Sequence, residues 1–200
     1  MPHQTGTTSV CLDKGSKIFT VGHSTRSLEE FIDLLRAQGV TLLVDVRTVP
    51  LSRHNPQFNQ ETLPQSLAAA GILYRHMAGL GGLRHTRADS PNRGWRNASF
   101  RGFADYMQSD EFAGNIEILL EMAGHERIAV MCAEAVPWRC HRSLIADALL
   151  VRGACVAHIM GKDALKIHEL TPFARIAGTS LLYPALDQPG EGNDEVSGGF

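Results

Sequence analysis

The sequence predicts a single α/β domain in three layers, with a mostly parallel sheet of about five strands between helices on both faces. Two observations lead to this fold class. Short apolar runs alternate along the chain with amphipathic stretches of helical period, and glycine repeatedly follows the amphipathic stretches. The chain has 200 residues, which suits one well-buried core and leaves little room for a second domain.

The first half of the chain supplies three predicted strands and two predicted helices. Ser27 and Glu30 have the spacing of a capping box, and Gly39 ends the helix that Ser27 opens. The run TLLVDV is apolar along nearly all of its length, which is typical of a strand covered on both faces. The predicted elements are strand 17–21, helix 27–39, strand 41–46, helix 60–70 and strand 72–75.

The second half continues the alternation. The predicted elements are helices 100–107 and 111–123, strand 127–132, helix 140–152, strand 155–160 and a further short strand at 166–170. We expect the strand order 3-2-1-4-5, which brings the first and fourth strands together. Ligands of such sheets bind beyond the carboxyl ends of the strands, near the point where the strand order reverses. The loops after the first, second and fourth strands are therefore expected to form the functional site.

The two ends of the chain differ from the middle. We expect a flexible arm at 1–16, the domain at 17–187, and a disordered acidic, glycine-rich tail at 188–200. No signal peptide and no apolar run of about 20 residues is recognisable, so no membrane partner is expected. The four cysteines do not form a dense disulfide framework. These features predict a cytoplasmic protein with reduced cysteines.

Charge is distributed unevenly along the chain. The formal net charge is only -2, yet the segment from Asp45 to Ala104 contains eight arginines and only three acidic residues. Arginine suits bidentate capture of phosphate or carboxylate, although such a stretch is also typical of a solvated loop. The long loop 76–97 also carries Trp95, and Phe100 follows it, so stacking on nucleic-acid bases is an alternative. No helix-turn-helix or finger motif supports that alternative, and the isoelectric point is about 6.5.

The segment VMCAEAVPWRCHR at 130–142 carries the strongest chemical signal. Cys132 ends a predicted strand, and Cys140 is expected in the first turn of the following helix. There the helix dipole and neighbouring arginines would lower its thiol pKa. The alternative is a buried, inert cysteine. A tyrosine-phosphatase loop is excluded, because the sixth residue after Cys132 is Trp138 and not arginine.

Two further segments follow the first and second predicted strands. VGHS provides Gly22 for close backbone approach, His23 as an acid or base with a pKa near neutrality, and a hydroxyl at Ser24. In DVR, alternation along the strand puts Asp45 and Arg47 on one face. They either pair with each other, or Asp45 orients a histidine while Arg47 holds an anion.

VGHS at 21–24, DVRTVPLSR at 45–53 and CAEAVPWRCHR at 132–142 together resemble a bacterial and archaeal family called domain of unknown function 488. The resemblance covers residues 17–170 and implies an α/β fold. It supports the site map but implies no reaction, because the family is named for the lack of one.

The leading hypothesis is an enzyme, a thiol-dependent hydrolase or transferase, that acts on a substrate bearing phosphate or carboxylate. The nucleophile or redox thiol is Cys132 or Cys140, the proton-transfer residue is His23 or His141, and the orienting carboxylate is Asp45 or Glu134. The expected anion-binding residues are Gly22, Ser24, Arg47, Ser52, Arg53, Asn55 and Arg142.

Two alternatives to this hypothesis remain open at this stage. One is a protein that binds or processes nucleic acid through the arginine-rich loop. The other is a metal site built from Cys132, Cys140, His141 and His23. The cysteine spacing does not match the usual short-spaced zinc knuckles, so no metal ligand is assigned. The sequence indicates no particular cofactor and no oligomeric state.

Overall fold

The computed structural model describes residues 17–185, and the arm and tail predicted at the two ends lie outside these residues. The strands are β1 (Lys17–Gly22), β2 (Leu42–Asp45), β3 (Leu73–His76), β4 (Ile128–Cys132), β5 (Cys155–Gly161), β6 (Ala164–Ile167), β7 (Arg175–Ala177) and β8 (Ser180–Leu182). The helices are α1 (Leu28–Ala37), α2 (Leu63–Ala69), α3 (Ala98–Tyr106), α4 (Asp110–His125) and α5 (Arg142–Leu150). The predicted α/β class is confirmed by a six-stranded, mostly parallel sheet with helices on both faces.

The order of the main sheet is β3-β2-β4-β1-β5-β6, and only β6 in it runs antiparallel to its neighbour. The expected order 3-2-1-4-5 is wrong, because β4 enters between β2 and β1 and pairs with both. The contact between the first and fourth strands is nevertheless present. Every residue of β4 is buried, which suits a central strand covered on both faces.

Two apolar cores lie on opposite faces of the sheet. One contains α1 and α2 with alternate strand residues such as Phe19 and Met131. The other contains α3, α4 and α5 with the intervening residues, such as Val130 and Cys132. Because side chains alternate along a strand, the thiol of Cys132 belongs to the face that carries α5.

Several boundaries follow the predicted signals, and others do not. α1 has both hydrogen bonds of the capping box, between Ser27 and Glu30, and Gly39 follows it with φ of +63°. α5 begins at Arg142 rather than at Cys140, because Pro137–Arg139 first forms a separate 3-10 turn. Among the described helices, none has both the length and the apolar character to cross a membrane.

The arginine-rich loop 76–97 is packed against the domain. Asp105 of α3 accepts hydrogen bonds from the Ser90 hydroxyl, the Asn92 amide and the backbone of Arg87. The ring of Trp95 contacts three aromatic rings, those of Phe100, Phe173 and Tyr183. The two aromatic residues on which the nucleic-acid alternative depends are half-buried and pack against each other and against the core.

Candidate functional site

A cleft of about 840 Å³ lies beyond the carboxyl ends of β1, β2 and β4. The three loops that were expected to meet there all contribute to its wall, as does the arginine-rich loop through Gly82 and Leu83. Nine predicted site residues line the cleft, namely His23, Ser24, Arg47, Ser52, Asn55, Cys132, Glu134, Cys140 and His141. The other four, Gly22, Asp45, Arg53 and Arg142, do not line it.

The chemical centre of the cleft is a cluster of two thiols and one imidazole, which we call the Cys132–Cys140–His141 cluster. One ligand atom from each of the three residues lies within 4.8 Å of the others. His141 Nδ1 is 3.7 Å from Cys140 Sγ and 4.0 Å from Cys132 Sγ. Both cysteines are free thiols and are largely buried, with 8% and 3% exposure for Cys132 and Cys140. The fold therefore brings two largely buried sulfurs and an imidazole together at one cleft.

The two thiols have opposite acid–base character. The pKa of Cys140 lies well below its ordinary value, first because Cys132 donates a hydrogen bond to its sulfur. His141 and the guanidinium of Arg142 lower it further, while burial opposes them. The pKa of Cys132 is raised by the same hydrogen bond and by burial. The shared hydrogen bond therefore favours the proton on Cys132 and thiolate character at Cys140.

Cys140 acquires this character without being in the first turn of a helix, which corrects the sequence prediction. Its backbone is extended, with φ of -132° and ψ of 145°, and its N–H donates to the carbonyl of Pro137. His141 is the N-cap of α5, so Cys140 precedes the helix. The neighbouring thiol contributes more than any other group to lowering the Cys140 pKa, which sequence spacing could not indicate.

Asp45 and Arg47 form a buried ion pair, so the first of the two alternatives for these residues is the one observed. The guanidinium contacts both carboxylate oxygens, with Nη2 at 2.6 Å from Oδ2 and Nε at 2.9 Å from Oδ1. Nη2 also donates to the carbonyl of Phe58, and the hydroxyl of Tyr74 donates to Asp45. Asp45 thus orients Arg47 and contacts neither His23 nor His141.

His23 differs from the acid or base expected near neutral pH. Burial lowers its pKa to about 4, although the hydrogen bond to the Ser24 carbonyl opposes this effect. Because a carbonyl only accepts, Nδ1 carries the proton, and Nε2 accepts from Arg47 at 3.3 Å. The ring stacks on Phe58, with centroids 4.3 Å apart. His23 is therefore neutral and holds Arg47 in position at the cleft wall.

Three residues predicted to bind an anion do not line the cleft, namely Gly22, Arg53 and the buried Arg142. A Cβ on Gly22 would overlap the carbonyl of Glu134, so this glycine permits close approach of the loop after β4 and not of a ligand. Arg53 is exposed and lies outside the cleft wall. Ser24 does line the cleft, with φ of +51°, a strained conformation that is typical of functional sites.

The loop after β4 offers backbone donors to the cleft. Residues 133–136 all line it. The N–H of Ala133 donates to the sulfur of Cys132, whereas the N–H groups of 134–136 have no hydrogen-bond partner among the described residues. Arg139, which is exposed, lines the same wall, and the carboxylate of Glu134 has no partner among the described residues. Successive unpaired N–H groups beside a guanidinium favour an anion.

Sequence reasoning missed several residues that shape the site. Val49, Leu51 and Leu83 line the cleft although each is at least 60% exposed, so its mouth has an apolar rim. Gly82 lies directly against the His141 ring, where a side chain would collide with it. The exposed apolar residues follow DVR in the sequence, but nothing in their pattern distinguishes a cleft rim from an ordinary loop.

Comparison with known proteins gives the class of this chain. The model of the family described as domain of unknown function DUF488 matches residues 27–149, more than half of the chain. The chain belongs to this family. The match includes the segments at 45–53 and 132–142, whereas VGHS lies just before it. No curated protein and no solved structure matches the chain.

Proposed function

We propose that this protein is a thiol-dependent hydrolase or transferase that acts on a small anionic substrate bound in the cleft. The observation that carries the proposal is the Cys132–Cys140–His141 cluster. It combines a thiol of lowered pKa with an imidazole 3.7 Å away at the wall of a large cleft. A nucleophile beside a proton-transfer group is the usual arrangement for covalent catalysis.

The hydrogen-bond donors in the walls of the cleft favour an anionic substrate. The unpaired N–H groups of 134–136, the guanidinium of Arg139 and the hydroxyl of Ser24 belong to residues that line the same cleft as the two thiols. The side-chain amide of Asn55 lines the cleft without a partner among the described residues. Arg47 keeps one Nη1–H beyond those bonded to Asp45, Phe58 and His23. These donors fit a phosphate or carboxylate group.

The proposed reaction starts from the Cys140 thiolate, with His141 as the proton donor. The thiolate attacks the electrophilic carbon or phosphorus of the substrate, so that a new bond to sulfur forms as the bond to the leaving group breaks. His141 gives its proton to the leaving group. Water, or another hydroxyl acceptor, then attacks the sulfur-bound group and gives its proton to His141, which restores the Cys140 thiolate and the proton donor.

Protection from alkylation tests both parts of the proposal. Iodoacetamide is expected to modify Cys140 at pH 7, and inorganic phosphate or an aryl phosphate is expected to slow this modification in a saturable way. The variant Arg139→Gln should weaken the protection, whereas Arg53→Gln, which removes a cation outside the cleft, should leave it unchanged. Alkylation no faster than that of a free thiol would contradict the thiol enzyme. Alkylation that neither phosphate nor a carboxylate slows would contradict the anionic substrate.

A metal centre is the second candidate, and the geometry of the same cluster favours it. Tetrahedral zinc, with Zn–S of about 2.3 Å and Zn–N of about 2.0 Å, places ligand atoms about 3.5–3.8 Å apart. The two nitrogen–sulfur distances of 3.7 and 4.0 Å are close to that range. Three ligands would leave a fourth position for a substrate or water, as in catalytic zinc sites. His23, the fourth residue considered from sequence, is committed to Ser24 and Arg47 instead.

Elemental analysis separates the two candidates. Protein purified without a histidine tag is expected to be free of metal and fully folded if the thiol enzyme is correct. A stoichiometric content of zinc that is lost in Cys132→Ala and Cys140→Ala, but retained in Cys155→Ala, would establish the metal centre and contradict a free nucleophilic thiolate. The Cys155 variant is the control, because this buried cysteine is absent from the cluster.

A further inference from the structure

A second group of buried polar residues lies behind the cluster, on the face of the sheet that carries α5. Thr20 of β1 and His158 of β5 are direct partners in neighbouring parallel strands, and their side chains are 2.7 Å apart. His158 Nε2 lies 3.1 Å from His168 Nδ1, and His168 Nε2 lies 2.8 Å from Asp147 Oδ1. These four residues, Thr20, His158, His168 and Asp147, form what we call the buried chain. All four are at most 8% exposed.

Asp147 fixes one end of the buried chain. Its carboxylate accepts from the hydroxyl of Tyr183, from the hydroxyl and backbone N–H of Thr171, and from His168. Carboxylate oxygens accept, so each of these groups directs its proton at Asp147. His168 must therefore carry its proton on Nε2.

The proposed direction of the remaining bonds has His158 Nε2–H donating to His168 Nδ1 and the Thr20 hydroxyl donating to His158 Nδ1. Burial lowers the pKa of His158 to about 3, which keeps this ring neutral. The oxygen of Thr20 is then left to accept from Nη1 of Arg142 at 3.3 Å. The buried chain therefore runs without interruption from a carboxylate to a guanidinium.

Arg142 connects the buried chain to the cleft. It is only 1% exposed and forms no ion pair with a described carboxylate, and its Nε has no partner among the described residues. Its other bond, from Nη2, reaches the carbonyl of Glu134, which lies in the loop between the two cysteines. A buried cation held by two neutral oxygens depends strongly on their positions.

We propose that Thr20, His158, His168 and Asp147 are positioning residues that hold Arg142, and through Arg142 the loop 133–136, in the conformation that the thiol site requires. The link to catalysis rests on the proposed function, whereas the effect of these four residues on Arg142 and the loop does not depend on it. None of the four residues lines the cleft, so they act on the site through Arg142 and do not touch substrate.

Thr20→Val tests the proposal because it removes the hydroxyl and keeps the shape of the side chain. We expect it to slow alkylation of Cys140 by iodoacetamide at pH 7 by about tenfold. We also expect faster hydrogen exchange at the amides of Ser24 and Cys140, which bond to the loop at Ala133 and Pro137. Thr20→Ser, which keeps the hydroxyl, should restore both the alkylation rate and the slow hydrogen exchange. The control is Thr41→Val, which removes a hydroxyl bonded to Glu126 and Arg127 at the other end of the strands.

Nuclear magnetic resonance of the histidine rings in the unsubstituted protein gives a second readout that needs no variant. His158 is expected as the tautomer with its proton on Nε2. A proton on Nδ1 would overturn the buried chain, as would equal exchange and alkylation in Thr20→Val, Thr20→Ser and Thr41→Val. If Cys140 of the unsubstituted protein reacts no faster than a free thiol while Thr20→Val still accelerates exchange, the proposed function fails and the positioning role stands.

Discussion

Gly22 and Glu134 lie in contact at the point where β1 ends and the loop after β4 begins. A Cβ added to Gly22 would overlap the carbonyl oxygen of Glu134. The same oxygen accepts a hydrogen bond from Arg142. Two neighbouring strand ends thereby lie in close contact beside Cys132, the strand partner of Gly22, and the contact requires that Gly22 has no side chain.

Gly22→Ala is expected to displace the loop between the two cysteines. Overpacking of this kind lowers the free energy of unfolding by about 1–3 kcal/mol, and the loop shift should also reduce the reactivity of Cys140. Urea denaturation and alkylation rates measure the two effects. Gly114→Ala is the matched control, because this exposed glycine of α4 has open space around it, and alanine there should stabilise by roughly 0.5–1 kcal/mol. Equal stability of the two variants would contradict the contact.

The buried ion pair between Asp45 and Arg47 predicts a large cost of removing one partner. Asp45→Ala should lower the free energy of unfolding by about 3–5 kcal/mol, because it leaves a buried guanidinium without its counter-charge. Asp89→Ala breaks the exposed pair with Arg87 and should cause no measurable change. Chemical denaturation of both variants checks the contrast. A similar, small loss in each would show that Asp45 does not neutralise Arg47.

The two buried histidines predict that acid weakens the fold. The pKa of His23 falls from 6.5 in the unfolded chain to about 4, so the unfolded chain binds more protons between these values. Stability contributed by the neutral ring is present above pH 6.5 and is lost as the pH falls towards 4, by roughly 3 kcal/mol. The same sign holds for His158, with a pKa of about 3.

Urea denaturation from pH 7 to pH 4 measures this loss. His23→Gln, which removes one of the two buried rings, should make the pH dependence shallower. A free energy of unfolding that is constant over this pH range would show that His23 and His158 titrate alike in the folded and unfolded chains.

The packing of the arginine-rich loop predicts the fluorescence of Trp95. Trp138 is 56% exposed, and Trp138→Phe leaves Trp95 as the one tryptophan of the chain. Its emission should lie at shorter wavelength than that of Trp138 in Trp95→Phe, and acrylamide should quench it less. Addition of single-stranded oligonucleotides should not change it. Strong quenching by acrylamide and by oligonucleotides would instead support an open, nucleic-acid-binding loop.

Much of the architecture could be predicted because the signals are local. The capping box at Ser27 and Glu30, the positive φ of Gly39 and the apolar run of β4 each specify one element. The strand order could not be predicted, because periodicity says which face of a strand is buried but not which strand is its neighbour. β4 lies at the centre through contacts between residues more than eighty positions apart.

The candidate site was predicted in its position more than in its chemistry. The positions of these residues after predicted strand ends indicated that the thiols, His141 and Arg47 would lie at one cleft, and they do. The lowered pKa of His23 depends on burial against Phe58, and that of Cys140 depends on a second thiol. Neither effect is encoded in the residue itself or its immediate neighbours. His158 did give a signal, since a histidine at a core-facing position of the strand CVAHIM needs a buried partner.

The pH dependence of Cys140 alkylation tests the central claim most directly. The rate of modification by iodoacetamide is measured from pH 5 to pH 10, and peptide mass spectrometry separates Cys140 from the other cysteines. We expect the midpoint of the Cys140 rate to lie well below that of a free thiol, Cys132 to stay unmodified at pH 7, and Cys132→Ala to move the Cys140 midpoint upward. A Cys140 rate that rises through pH 8.5–9 like that of a free thiol, with no shift in Cys132→Ala, would contradict the account.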